Sequence, residues 1–122
     1  MVTLRRAAVW LGAVLLAVTF VAVGISKFEG ASATRWSDRF EQWGYAANAP
    51  YVVGMFEIVG GVGVLIPRWR PAASLVLSIL MMGALCTHVV HAEFRRVVPP
   101  LVLGGLAFLM YWSHRAPSAL RE

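Results

Sequence analysis

Four stretches of the chain, residues 7–25, 50–66, 71–91 and 97–112, are long and apolar and, with His88 and His91 counted as neutral, carry one charged side chain between them, Glu57. About 20 apolar residues let an α-helix cross the hydrocarbon of a bilayer. Backbone polar groups in hydrocarbon must pair among themselves, so such runs are helical. The pattern predicts an all-α fold, an integral membrane four-helix bundle, formed as a single domain over residues 1–122. Only 14 % of the chain is charged, against roughly a quarter in soluble domains. The net charge of +5 does not indicate nucleic acid, because the basic residues flank apolar runs and leave no soluble basic surface. A single cysteine, Cys86, excludes an intrachain disulfide and a cysteine metal cage.

Arg5 and Arg6 precede the first run, an arrangement shared by membrane helices and secretory signals. The run is long for a signal, and Lys27 and Glu29 separate it from the cleavage-like Ala31, Ser32 and Ala33, so a retained helix is expected. Pro50, Pro71 and Pro99 read as helix starts, since proline in the first turn forfeits no intrahelical hydrogen bond. Tyr111 and Trp112 form an interfacial aromatic pair at the end of the fourth run. Six Lys or Arg fall on the face holding the N-terminus, the 67–70 loop and the C-terminal tail, and five on the other. Three of those five share a long loop with acidic residues, so both termini are expected inside, in the inner, cytoplasmic membrane.

The first loop, residues 26–49, is too long and too aromatic for a simple connector. Trp36, Phe40 and Trp43 recur at i, i+4 and i+7, with Arg35, Asp38, Arg39 and Glu41 between them and Gly44 placed to end a helix. A short interfacial helix is predicted, serving as an anchor or as a cover over a site.

Glu57 is the first functional candidate, because a lone carboxyl in hydrocarbon costs several kcal/mol unless it faces protein or water. On a helix Gly54, Gly60 and Gly61 fall within about 60° of it, giving a small-residue packing face that turns Glu57 into the bundle. Lys27, His88 and His91 are expected near the same depth, about 10 Å from the outer end of the second run. Lys27 or a protonated histidine then pairs with Glu57, with a structural tie between helices as the competing role and headgroup contact as the alternative for Lys27. Cys86 and His88 lie about 200° apart on a helix and cannot share a ligand set. Cys86 groups with Leu75, Ile79 and Met82 on an outward side. His88 and His91 share a face but make an incomplete zinc site, so no metal is expected and a haem on His88 is disfavoured. Gly60, Gly61 and Gly63 lack the Lys and Ser or Thr of a phosphate loop.

Gly24-Ile-Ser-Lys27-Phe, Phe40-x-x-Trp43-Gly44-Tyr45, Gly54-x-x-Glu57-Ile-x-Gly60-Gly61, Ile66-Pro-Arg68 and Gly83-Ala-x-x-Thr87-His88 occur in this order. Together they resemble the DoxX-like family over roughly residues 7–112, a family of small four-helix membrane proteins. The resemblance implies a role in or beside redox complexes, since one branch belongs to a thiosulfate:quinone oxidoreductase, another to a bacterial oxidative-stress complex, and an animal relative assists receptor assembly. It matches at Lys27, Glu57, Thr87 and His88 and assigns none of them a catalytic role.

The function expected is an accessory or redox-associated subunit with a polar intramembrane site for a quinone-like or lipid-like ligand. Lys27, Glu57, Thr87, His88 and His91 are the candidates to bind it or handle protons. Trp36, Phe40, Trp43 and Tyr45 are the candidates to cover it. A quinone is the cofactor such a site suits, and the expected partners are the lipid bilayer, a membrane or redox protein and a second copy of the chain. A small proton-coupled transporter using Glu57 competes, although its multidrug-exporter form would carry the glutamate in the first helix. A structural assembly helper is the third reading.

Overall fold

Proline sets where three of the helices begin. In the computed structural model, which describes residues 2–115, helix α3 (Ala49–Gly63) and helix α4 (Arg70–Val90) carry Pro50 and Pro71 in their first two positions. Helix α5 (Val98–Arg115) contains Pro99 and Pro100 in its first turn. Helix α1 (Val2–Ser26) begins ahead of the predicted run, so Arg5 and Arg6 lie within it. Helix α2 (Gly30–Gln42) is the amphipathic helix of the first loop; Gly44 follows its C-cap Trp43 at φ 87°, a left-handed turn that glycine adopts without steric penalty. A short 3-10 turn, Phe94–Arg96, joins α4 to α5. The described helices are therefore five, four forming the bundle and α2 lying across one end.

Helices α1, α4 and α5 are long and apolar enough to cross a membrane, whereas α3 has only 15 residues. It ends at Gly63, short of the predicted Ile66, and residues 64–69 turn the chain. Sequential antiparallel helices close a ring in which α1 packs on α3, α3 on α4, α4 on α5 and α5 back on α1. The Arg5 guanidinium donates to the Ser113 carbonyl at 3.2 Å, fixing the start of α1 beside the end of α5. Residues 116–122, including the Arg121 counted toward orientation, lie outside the described residues.

Lipid tails are as apolar as leucine, so helix association here rests on close packing rather than on escape from water. Small residues supply it. Gly54 is buried, and a Cβ on Gly24 would stand 2.8 Å from the Gly54 carbonyl, while Gly60 receives the Leu77 side chain. Glu57, Gly54, Gly60 and Gly61 are all buried on one face of α3, the face expected from helical periodicity. The apolar core, with Leu16, Phe20, Val64, Leu77 and Met110, fills the half of the bundle nearer the chain ends. Leu75, Ile79, Met82 and Cys86 are exposed on the outward side of α4.

One charged residue departs from its expected place. Arg70, in the 67–70 loop counted toward orientation and flanking an apolar run, would be expected at the headgroups, but only 4 % of it is exposed. Its Nε donates to the Val64 carbonyl at 2.7 Å and its guanidinium lies 4.4 Å from the Trp10 ring centre. A helix C-terminus leaves carbonyls without partners, and Arg70 supplies one at the end of α3.

Candidate functional site

Beyond Phe20 and Met81 the packing opens into a cavity of about 540 Å³ between the four bundle helices, beneath α2. Its volume lies within the roughly 300–1,000 Å³ typical of small-molecule sites. Val23, Val53, Leu80 and Leu103 contribute to a largely apolar wall. The polar groups gather around Lys27 and at the mouth.

Lys27 follows directly on α1, and its Nζ lies 2.7 Å from Glu57 Oε1 with both side chains almost fully buried. The contact is an ion pair whose direction departs from that of a hydrogen bond to Oε1. The ammonium also sits 3.8 Å from the centre of the Trp36 ring, so ring and carboxylate together take the place of water. This settles where Lys27 goes: it turns into the bundle and not toward headgroups.

Trp36 anchors α2 in return. Its Nε1 donates to Ser26 Oγ at 2.9 Å, and Ser32 Oγ donates toward the Ser26 carbonyl at 2.7 Å. Trp43 and Tyr45, past the end of α2, complete the cover with Trp36. Phe40, expected beside them, is instead buried behind the cover, its ring packed on those of Trp36, Trp43 and Tyr45. Its position three and four residues from the two tryptophans gives it the inner side of α2.

At the end of α4, Thr87 and His88 are buried and line the cavity. The Tyr45 and Thr87 hydroxyls are hydrogen-bonded. His88 does not pair with Glu57. Its Nδ1 is 3.0 Å from an oxygen of Glu93, a residue the sequence reading passed over, and Trp43 Nε1 donates to the same oxygen at 3.1 Å. The other Glu93 oxygen accepts from Arg96 at 3.2 Å. The His88 hydrogen bond, aided by Trp43 and Arg96, holds the Glu93 carboxyl below the usual carboxylate range. A carboxylate on Nδ1 makes that nitrogen the donor and leaves Nε2 without a hydrogen-bond partner among the described residues.

His91 does not join the cluster. It is exposed, its Nδ1 is 2.8 Å from the Thr87 carbonyl of its own helix, and it packs near Trp43 without lining the cavity. Helical spacing put His91 on the His88 side, but it lies at the C-cap, where the chain leaves the helix. The mouth carries three further cations not singled out from sequence, Arg39 of α2 and Arg95 and Arg96 of the 3-10 turn. Among the described residues no group of three His, Cys, Asp or Glu side chains is arranged to hold a metal.

A helical bundle with three helices of membrane-crossing length and a polar cluster enclosed at one end defines a membrane protein. The chain belongs to the DoxX-like family, which it matches over residues 11–110. No curated protein and no solved structure gives a significant match.

Proposed function

We propose that this protein is an accessory or redox-associated subunit of the cytoplasmic membrane that holds an amphiphilic ligand, quinone-like or lipid-like, in the cavity beneath α2. One observation carries the reading: a largely apolar cavity of about 540 Å³ that meets polar side chains at one end. An apolar body fits the wall, and a polar head reaches Tyr45, Thr87 and the free ring nitrogen of His88. Electron transfer, where it occurs, belongs to a quinone or to a partner subunit, because the protein's own contribution is binding and orientation. Glu57 already has a cation beside it, which favours a holding role over the proton-coupled transport reading.

Mild extraction from the native membrane followed by mass spectrometry tests the proposal. Wild type is expected to retain an amphiphile or a redox partner. Gly83→Leu, which adds a side chain where open space adjoins the cavity, should release the amphiphile. A protein that is folded but free of ligand and partner overturns the reading.

A further inference from the structure

The charges around the cavity mouth do not balance. Four cations line the cavity: Lys27, Arg39, Arg95 and Arg96. Lys27 is matched by Glu57 and Arg96 by Glu93. Arg39 has its guanidinium 5.0 Å from the Trp36 ring centre and, although the Glu93 carboxylate acts on it through space, neither it nor Arg95 makes a salt bridge among the described residues. Arg96 is half exposed and shares its carboxylate with His88 and Trp43, which leaves guanidinium donors on it unused. Two elements, α2 and the 3-10 turn, thus bring three planar, permanently charged donors to the opening of an apolar chamber.

We infer that the cavity selects an anionic lipid from the surrounding bilayer, with its phosphate-bearing head among Arg39, Arg95 and Arg96 and one of its chains in the apolar interior. The inference rests on reading the cavity as an amphiphile site and names the charge of its occupant. A neutral head offers Arg39 and Arg95 no opposite charge, whereas a phosphate offers oxygens that guanidinium groups bind in pairs. Arginines at a membrane surface draw anionic lipid toward them. The apolar wall supplies what a soluble phosphate lacks, a place for a chain.

The test uses the full chain reconstituted in vesicles of equal parts dioleoylphosphatidylglycerol and dioleoylphosphatidylcholine, extracted mildly and analysed for bound lipid by native mass spectrometry. Phosphatidylglycerol should be retained on the order of tenfold over phosphatidylcholine. The double variant Arg39→Gln, Arg95→Gln should bring that ratio near one, and Gly83→Leu should lower the amount of both lipids. Wild-type selectivity should also fall at molar ionic strength, a measurement that requires no variant to fold. Equal retention of the two lipids, still lowered by Gly83→Leu, overturns the charge selection and leaves the amphiphile site standing. Retention that Gly83→Leu does not lower overturns both. Phosphatidylglycerol enrichment that survives both the double variant and high salt assigns the lipid to the outer surface and overturns the inference.

Discussion

Lys27 and Glu57 set a thermodynamic trap for single substitutions. Removing one partner of a buried ion pair leaves an uncompensated charge and costs about 3–5 kcal/mol, whereas replacing both with apolar groups of similar volume is often neutral. Lys27→Met is therefore expected to lower unfolding stability in micelles by that amount, and Lys27→Met with Glu57→Met to recover most of it. A double variant no more stable than the single one refutes the coupling. The glycines divide in the same way. Gly24→Ala drives a methyl toward the Gly54 carbonyl and is expected to cost about 1–3 kcal/mol. Gly105→Ala meets open space and should gain up to about 1 kcal/mol from helix propensity; thermal unfolding of both variants checks the contrast. At this scale Glu57 and its glycine face were legible, because a lone carboxyl in an apolar run and a 3.6-residue period are both written into the sequence. Glu93 was not, because its partners depend on how the chain turns after α4.

That turn is the element that organises the mouth. His91 caps α4, Ala92 adopts φ 56°, and the Glu93 N–H returns to the His88 carbonyl at 2.8 Å, which brings the Glu93 carboxylate to Nδ1 of the His88 ring. No apolar period announces a left-handed alanine, so periodicity extended to His91 mistook a turn residue for a face residue. Helix α2 was legible from Trp36, Phe40, Trp43 and Gly44, but which aromatic covers and which packs depends on the angle at which the helix docks. The docking responds to acid. Glu93 has a lowered folded-state pKa, so its contribution is complete above the ordinary carboxylate range and disappears as pH falls through the lowered value. Hydrogen exchange in residues 91–97 and at Trp43 is expected to speed up on acidification in wild type. Glu93→Gln should show fast exchange at neutral pH and a flatter acid response; an unchanged acid response in the variant would remove Glu93 as the cause.

At the scale of the molecule, the four apolar runs defined the bundle and its order, since each run can satisfy its backbone only as a helix. They could not reveal the cavity, which depends on how the four bundle helices and the α2 cover meet at one end. The ring also fixes relative topology, with both described ends on one face and α2 on the other. In a Cys86→Ala background, Thr3→Cys and Arg115→Cys should resist a membrane-impermeant maleimide applied from outside the cytoplasmic membrane, and Asp38→Cys should react. Labelling of Thr3 and Arg115 from opposite sides contradicts the bundle, and full reversal inverts its orientation. Helix α3 carries a consequence for the bilayer itself. Fifteen residues rise only about 22 Å, against roughly 30 Å of hydrocarbon. Val52, Met55, Phe56, Val59 and Val62 give that helix an exposed apolar flank, which Leu65 and Ile66 carry into the turn that follows, while α1 and α4 are themselves long enough to cross. A helical flank shorter than its neighbours is matched by lipid that shortens or tilts, so the protein is expected to partition toward the thinner of two coexisting bilayer phases, and equal partitioning would refute this.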